Sequence, residues 1–337
     1  MMRTDPQAQH LAMMRAMRYA MRRREDQPFP EWQVAACERL GALLGLPEAV
    51  CPSDLRIEWT REEEGVRELR LTFRTEPEYE TRAHLLIPAS ETPVPVVICL
   101  QGHSKGMHIS LGRPKYPGDA ESIAGDRDFA RQAVRHGCAA FVLEQRGFGE
   151  CGGTEDGPAC HQPAMAALLL GRTLIGERVW DVMRSIDLIE ARFPKLDAGR
   201  VAVLGNSGGG TTSLYAAAMD PRIAAAVPSC AFSGFEASIG AQLHCVCNYV
   251  PGIMKSFDMG DIAGMIAPRP LVLVSGRHDG IFPLQQAEEQ FSIAQAYYTA
   301  AGAEDKLRHV IGAEGHRFYA EQAWQALREL TGWPLHG

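Results

Sequence analysis

The stretch Val201-Ala202-Val203-Leu204-Gly205-Asn206-Ser207-Gly208-Gly209-Gly210 joins an apolar, strand-like run to a helix of small residues that continues to Met219. It is a Gly-x-Ser-x-Gly sequence in the setting of strand, sharp turn and helix, where a serine at the tip of the turn acts as a nucleophile. Such a turn strains the serine backbone, and side chains at Gly205 or Gly209 would collide with the neighbouring strand and helix. The helix N-terminus behind the hydroxyl favours negative charge that develops there. The stretch therefore predicts Ser207 as a catalytic nucleophile.

Short apolar runs alternate with helical stretches on both sides of this turn. The apolar runs are 96–100, 139–143, 201–204, 223–227, 271–274 and 307–311, and the helical stretches are 126–136, 176–192, 211–219 and 284–301. This alternation is typical of an α/β protein with a mostly parallel sheet covered by helices on both faces. Three further runs, 55–60, 66–74 and 81–87, predict an antiparallel meander before it. We expect one sheet of about eight strands.

Residues 1–50 predict a helical extension that precedes a single domain spanning 51–337. Leu11, Met14, Met17 and Met21 recur at helical spacing among several arginines, and a second helix is expected over 31–44. A basic amphipathic helix can lie on a membrane. Because the apolar side is Met and Ala without Trp or Phe, packing on the main domain or on a second subunit is favoured. The extension is therefore a candidate contact for a homodimer.

Three long segments interrupt the alternation of strands and helices. They are 104–125, 150–175 and 229–268, and each follows a strand of the sheet. Parallel strands with right-handed crossovers place the following loops along one edge, where sites form. Long loops of this kind commonly shape a pocket or a lid. We expect all three insertions to surround the site.

Composition limits the classes of function. The 337 residues are 46% hydrophobic and 22% charged, with a formal net charge of −7, which is typical of a globular protein and argues against nucleic-acid binding. No apolar run reaches membrane-spanning length, and no signal-peptide pattern follows Met1. The nine cysteines show no disulfide framework. These features predict a reduced, cytoplasmic protein that does not act at a membrane.

Two loops that follow late strands supply partners for the serine. Asp279 lies just beyond the run that ends at Val274, and His316 lies just beyond the last apolar run. The chain order Ser207, Asp279, His316 is that of α/β-hydrolases, so His316 is expected to act as the base and Asp279 to orient it. The competing residues fit less well: His278 as base, and Glu314, Asp258 or Asp261 as acid.

Backbone donors for an oxyanion are expected beside the serine. We assign them to the N–H groups of Gly208 and of His103, which lies in the loop after the first parallel strand. Ser104, His244 and Tyr249 are candidate substrate contacts or pocket lining. Arg146 either forms a buried ion pair with Glu150 or Asp181, which is the favoured interpretation, or binds an anionic group of the substrate.

The sequence His244-Cys245-Val246-Cys247 contains three potential metal ligands. No matching second cluster follows, and thiolate metal sites normally show wider cysteine pairs. Cys245 and Cys247 are also too close in sequence for an unstrained disulfide. The sequence therefore favours a pocket wall over a metal site, and no metal or other cofactor is expected.

Five short motifs together resemble the α/β-hydrolase superfamily, and within it the bacterial members similar to dienelactone hydrolases and acetyl xylan esterases. The motifs are Gln101-Gly102-His103, Gln145-Arg146-Gly147-Phe148-Gly149, Gly205-Asn206-Ser207-Gly208-Gly209, Ser275-Gly276-Arg277-His278-Asp279 and Gly315-His316. The resemblance covers roughly 55–335 and implies ester hydrolysis without a cofactor, with Ser207 carrying the acyl group.

The chain also departs from the specific members of that superfamily. Acetyl esterases of the cephalosporin-deacetylase type have Arg-Gly-Gln and His-Glu where this chain has Arg146-Gly147-Phe148 and His316-Arg317. Dienelactone hydrolases use a cysteine where this chain has Ser207. The resemblance therefore implies a mechanism rather than a substrate.

We expect hydrolysis of a small ester such as an acetyl ester. The alternatives are an oligopeptidase-like or amidase-like hydrolase and a non-catalytic binding protein.

Overall fold

A computed structural model of the chain describes residues 4–47 and 49–336. Nine strands form one sheet in the described residues, one more than the sequence predicts. The strands are β1 (Arg56–Glu63), β2 (Val66–Glu76), β3 (Tyr79–Pro88), β4 (Val94–Leu100), β5 (Ala139–Leu143), β6 (Leu196–Asn206), β7 (Ile223–Ser229), β8 (Leu271–Gly276) and β9 (Leu307–Gly312).

The sheet has the order β1-β2-β3-β5-β4-β6-β7-β8-β9. The first three strands form the expected antiparallel meander, and β3 also pairs antiparallel with β5. From β5 to β9 every neighbouring pair is parallel. The carboxyl ends of β4, β6, β7, β8 and β9 therefore meet along one edge, which is where ligands bind in sheets of this kind.

Ten α-helices are present in the described part of the chain. They are α1 (Pro6–Arg15), α2 (Phe29–Leu44), α3 (Asp119–Ala124), α4 (Phe129–Arg135), α5 (His161–Leu169), α6 (Leu174–Arg192), α7 (Gly208–Met219), α8 (Met259–Gly264), α9 (Leu284–Ala300) and α10 (Ala320–Thr331). The sequence analysis did not predict α3, α5 and α8, which lie inside the long segments, nor α10, which follows the last strand.

Two hydrophobic cores lie on opposite faces of the sheet. Along β4, Val96 and Ile98 belong to one core and Val97 belongs to the other, because successive strand residues point to opposite faces. Side chains of α2, α6, α7 and α9 pack in the first core. Those of α4 and α10 pack in the second. This confirms the expected α/β class with helices on both faces.

The first helix is shorter than the methionine spacing predicts. It ends at Arg15, so Met17 and Met21 lie beyond it. The backbone then turns and pairs with the segment before α8: Ala20 N donates to Lys255 O at 3.1 Å and Met21 N donates to Ser256 O at 3.0 Å. These bonds to a distant segment replace the bonds that a longer helix would make within itself.

The N-terminal segment packs on the main domain through several polar contacts. The Tyr19 hydroxyl donates to Asp258 at 2.8 Å, and Arg22 pairs with the buried Asp261 at 3.0 Å. Met14 and Met17 contact the first core, as the favoured interpretation expected. In the described residues no helix is both long and apolar enough to cross a membrane.

Trp32 is the main anchor of α2. Its ring stacks on Tyr297 of α9 with centroids 4.3 Å apart, and its indole N–H donates to Met21 O at 2.6 Å. Trp32→Ala removes this buried surface and is expected to lower the free energy of unfolding by about 3–5 kcal/mol. The measurement is denaturant unfolding followed by far-UV circular dichroism.

Val34→Ala is the matched control on the same helix. Val34 is 61% exposed, and a substitution at such a position changes stability by about 0.5 kcal/mol or less. Equal losses in the two variants would show that Trp32 does not anchor the N-terminal helices to the domain.

Candidate active site

Ser207 occupies the sharp turn between β6 and α7. Its backbone has φ 55° and ψ −123°, a strained conformation for a residue other than glycine. A Cβ added at position 205 would lie 2.4 Å from the carbonyl carbon of Gly209. A Cβ added at position 209 would lie 2.0 Å from Leu100 O. The collisions expected from the sequence are therefore present. The turn lifts Ser207 above the carboxyl edge of the sheet.

Asp279 and His316 form a hydrogen-bonded pair at the same edge. Asp279 lies in the loop after β8 and is buried, and its Oδ2 is 2.8 Å from Nδ1 of His316, which lies in the loop after β9. The other carboxylate oxygen accepts backbone N–H groups from Ile281 at 2.8 Å and Phe282 at 3.0 Å. The carboxylate is thus held in one orientation toward the imidazole.

The charge state of Asp279 follows from these contacts. Burial alone would raise the pKa of Asp279, but the hydrogen bond and charge of His316 and the two backbone N–H groups outweigh it, so the pKa is lowered. The residue is therefore a carboxylate at neutral pH. A carboxylate that accepts from Nδ1–H fixes the imidazole tautomer and leaves Nε2 to accept a proton.

The end of β7 connects Ser207 to this pair. Ser207 N donates to Ser229 O at 2.8 Å. The next residue, Cys230, has its Sγ within 4.8 Å of ligand atoms of Asp279 and His316. The Ser207 hydroxyl makes no hydrogen bond within residues 4–47 and 49–336, and in unliganded enzymes catalytic hydrogen bonds are often long. The structure brings the three predicted residues to one edge of the sheet.

The rival acids and base lie in other environments. His278 is exposed although Asp279 is buried, so the two neighbours diverge as expected. Glu314 is exposed and pairs with Arg317 at 3.1 Å. Asp258 and Asp261 begin α8 with a capping box and hold the N-terminal segment. None of these four residues replaces Asp279 or His316 in the observed pair.

The two predicted oxyanion donors lie on adjoining loops. Gly208 is the first residue of α7, where a helical N–H has no partner inside the helix. The loop after β4 lies against it: an added Cβ at Gly102 would be 3.1 Å from Ser207 Cβ, and one at Gly208 would be 2.8 Å from the His103 ring. The contact places the backbone of His103 beside the Ser207 turn.

Two of the predicted substrate contacts lie beside this site. His244 makes an edge contact with Phe282, centroids 5.5 Å apart, and Phe282 stacks on His316 at 6.1 Å. Burial, with the nearby His103, lowers the pKa of His244 to about 4, so its ring is neutral. Ser104 lies next to His103, and its hydroxyl accepts from Gly106 N at 3.5 Å.

Tyr249 lies in a different surface groove. Its hydroxyl donates to Ile239 O at 2.9 Å, and it lines an apolar cavity of about 260 Å³ together with Met13, Met14 and Met17. Ser207, Asp279 and His316 do not line this cavity. Tyr249 thus contacts the N-terminal segment, and its predicted role in substrate binding gains no support from this placement.

Arg146 forms the favoured buried ion pair. Its guanidinium pairs with Asp181 at 2.8 Å and with Glu76 at 2.7 Å, and it stacks over Tyr79 at 3.9 Å. The other partner considered, Glu150, is bonded to Arg70 instead. Because carboxylates and a ring surround the guanidinium, a role in binding an anionic substrate group has no support.

A cluster of sulfur atoms and one imidazole adjoins the site. His103 Nε2 is 3.1 Å from Cys247 Sγ, which is 3.2 Å from Cys245 Sγ. Cys160 completes the cluster, whose four ligand atoms all lie within 4.8 Å of one another. The sequence analysis did not single out Cys160, because no spacing relates it to the Cys245-Val246-Cys247 stretch.

A larger cavity lies elsewhere on the molecule. Its volume is about 610 Å³, and its lining includes Arg70, Lys105, His108 and the buried Glu144. Burial raises the pKa of Glu144 to about 7 against the opposing effect of two backbone N–H groups. Ser207, Asp279 and His316 do not line this cavity, so it is separate from the candidate site.

Comparison with known proteins agrees with this architecture. The acetyl xylan esterase (AXE1) family model matches residues 51–241. A Bacillus subtilis (strain 168) protein, the candidate hydrolase YtaP, is 28% identical over 302 residues, which are 88% of this chain and 98% of that protein.

Solved structures of esterases share the fold. A candidate acetyl xylan esterase of Bacteroides fragilis NCTC 9343 has a TM-score of 0.82 at 18% identity, over 98% of this chain and 96% of that chain. A glucuronoyl esterase of Solibacter usitatus has a TM-score of 0.70 at 15% identity, over 93% and 96%. Acetyl xylan esterase 1 of a Thermoanaerobacterium species has a TM-score of 0.57 at 17% identity, over 96% and 98%.

The family model covers more than half of the 337 residues, including β1 to β7 and the Ser207 turn. The matched region holds three of the five motifs that carry the resemblance to α/β-hydrolases, those at 101–103, 145–149 and 205–209. The chain therefore belongs to the acetyl xylan esterase (AXE1) family and is a carboxylic ester hydrolase.

Proposed function

We propose that the protein is a serine hydrolase that removes a short acyl group, such as acetyl, from a carbohydrate ester. The observation that carries this proposal is the 2.8 Å bond between His316 and the buried Asp279, at the sheet edge where Ser207 caps α7. The family and the neighbouring esterase structures support the class of substrate. The proposal therefore specifies both parts of the ester: a short acyl chain and a carbohydrate alcohol.

The reaction begins with transfer of one proton. His316 Nε2 takes the proton of the Ser207 hydroxyl as the oxygen bonds to the acyl carbon of the ester. The Asp279 carboxylate, held by Ile281 N and Phe282 N, stabilises the imidazolium that forms. Because these two donors keep the carboxylate in place, the imidazole needs little reorganisation during the step.

The negative charge that develops on the carbonyl oxygen needs donors. The N–H groups of Gly208 and His103 are the proposed pair, since the loop that carries His103 packs directly on the turn. The N-terminus of α7 adds a favourable partial charge. Collapse of the tetrahedral intermediate then returns the proton from His316 to the leaving alkoxide and leaves the acyl group on Ser207. Water then attacks the acyl group on Ser207 through the same steps and releases the carboxylic acid.

The second prediction concerns Ser207→Ala. The variant is expected to lose on the order of a thousandfold or more in kcat/KM, because the acyl-enzyme cannot form. The measurement is hydrolysis of nitrophenyl esters from acetate to decanoate, followed by release of acetate from acetylated xylo-oligosaccharides. The wild type is expected to cleave the short-chain esters and to be labelled on Ser207 by a fluorophosphonate probe.

Ser292→Ala is the matched control, because Ser292 lies exposed on α9 and donates only to Glu288 O of its own helix. It should retain full activity and labelling. An active Ser207→Ala variant would remove Ser207 as the nucleophile. A wild type inert toward every ester but active on amides or peptides would replace the proposal with the amidase or oligopeptidase alternative.

The third prediction separates the two candidate acids. Asp279→Asn keeps the shape of the side chain but removes the charge that stabilises the imidazolium, and is expected to lower kcat by about 10⁴-fold. Glu314→Gln should leave kcat within about twofold, because that carboxylate is 66% exposed and contacts Arg317 only. The measurement is kcat on nitrophenyl acetate for both variants. The reverse pattern would assign the acid to Glu314.

A further inference from the structure

We propose that His103, Cys160, Cys245 and Cys247 bind a Zn²⁺ ion beside the catalytic turn. The sequence analysis expected no metal, because the Cys245-Val246-Cys247 stretch has no matching cluster nearby. The fold supplies the other two donors from distant parts of the chain. All four ligand atoms lie within 4.8 Å of one another.

The donor set and its spacing fit zinc. Three thiolates and one imidazole are a common ligand set of structural zinc sites, with Zn–S bonds near 2.3 Å and tetrahedral geometry, so neighbouring ligand atoms are about 3.5–3.8 Å apart. The observed separations include 3.1 Å from His103 Nε2 to Cys247 Sγ and 3.2 Å between the sulfur atoms of Cys245 and Cys247. Small movements of these side chains would give a tetrahedron.

Three separate segments contribute the four ligands. His103 lies in the loop after β4, Cys160 is the residue before α5, and Cys245 and Cys247 lie in the segment after β7. Cys160 and Cys247 are buried in a small apolar cluster with Phe148, Ala164 and Leu174. An ion there would join the insertions 150–175 and 229–268 to the loop after β4 that carries His103, here called the oxyanion loop.

Arg178 provides a second, independent observation. Its side chain is fully buried, with 1% of the residue exposed, and its Nη2 lies 3.2 Å from Cys160 Sγ. It makes no salt bridge with a carboxylate in the described residues, although a buried cation normally needs an anion. Zn²⁺ with three thiolates and a neutral imidazole carries one negative charge. Arg178 would neutralise that charge and donate to a ligating sulfur.

A disulfide explains the cluster less completely than a metal ion does. All nine cysteines are free, and Cys245 and Cys247 are too close in sequence to pair without strain. A bond from Cys160 to one of them would leave the third sulfur and the imidazole without a function. Metal binding uses all four groups.

The proposed ion acts on the position of the oxyanion loop. It has four protein ligands, so it offers no open position for a substrate or water, as in structural zinc sites. The His103 ring packs on Gly208, and an added Cβ there would be 2.8 Å from Nδ1 and Cε1 of the ring. Holding the ring would hold the loop. The ion is a positioning group, and bond cleavage proceeds at Ser207.

The fourth prediction is one zinc ion per chain of 337 residues. The protein is purified under reducing conditions without chelators, and its zinc content is measured by inductively coupled plasma mass spectrometry. Cys160→Ser and Cys245→Ser are each expected to lower the content by about tenfold or more. Cys37→Ser is the matched control and should retain one zinc, because this half-buried thiol lies on α2 and donates to Ala218 O, a bond that serine can keep.

Cobalt substitution tests the donor set without reference to activity. Metal-free wild type and Cys37→Ser, titrated with Co²⁺, should develop thiolate charge-transfer absorption and the visible bands of tetrahedral cobalt at a ratio of one. Cys160→Ser and Cys245→Ser should develop neither at that ratio. Ser207→Ala should bind as the wild type does, so a failure of the proposed nucleophile and a failure of the proposed metal site are distinguishable.

Three results would overturn the proposal. One is a wild type that contains no zinc and binds neither Zn²⁺ nor Co²⁺ after metal removal. Another is zinc that Cys160→Ser and Cys245→Ser retain at the wild-type level. The third is a disulfide between Cys160 and Cys245 or Cys247, found by mass spectrometry in the protein purified under reducing conditions.

Discussion

The close approach of two backbone segments, the turn at Ser207 and the end of β4, is the constraint on which the site depends. A Cβ at position 209 would lie 2.0 Å from Leu100 O, so the two backbone segments are in contact and leave no space for a side chain. Leu100 is followed directly by the loop that carries His103. One packing contact therefore sets the position of the proposed nucleophile and of the proposed oxyanion donors together. A side chain at this contact would displace both.

The features of the site that depend on this contact could be predicted from the sequence, because each has a local signal. The apolar run at 139–143 coincides with β5, and those at 201–204 and 271–274 lie within β6 and β8. A parallel sheet then gathers the residues after its strands at one edge. Position in the chain alone was thus enough to predict that Ser207, Asp279 and His316 lie at one edge of the sheet. No side-chain contact had to be known.

The features that could not be predicted are decided by contacts between distant segments. The methionine spacing would continue α1 past Arg15, but the helix ends there, and Ala20 N and Met21 N donate to Lys255 O and Ser256 O instead. The sequence offered Arg146 two acidic partners, and only the fold selects Asp181. No sequence spacing relates Cys160 to Cys245 and Cys247, so their proximity could not be predicted. Local patterns cannot encode such pairings, since they depend on how the insertions fold over the sheet.

Two buried arginines show how differently the fold treats charge beside the site. Arg146 has three carboxylate partners, Glu76, Glu177 and Asp181, and these offset the cost of burying its guanidinium. Arg178 donates to Arg146 O at 2.6 Å, yet it has a sulfur at 3.2 Å where Arg146 has acids. The same fold that surrounds one cation with carboxylates places a cysteine sulfur, a carbonyl oxygen and the Phe148 ring beside the other.

That asymmetry has a physical consequence for the cluster. A buried guanidinium is stabilised by negative charge near it, and Cys160 Sγ lies 3.2 Å from Arg178. Several thiolates within 4.8 Å of one another would repel each other unless a cation lies between them. Arg178 is outside the cluster and can compensate one negative charge only. A divalent ion among the sulfurs balances the rest, so the buried arginine and the clustered cysteines are two parts of one arrangement.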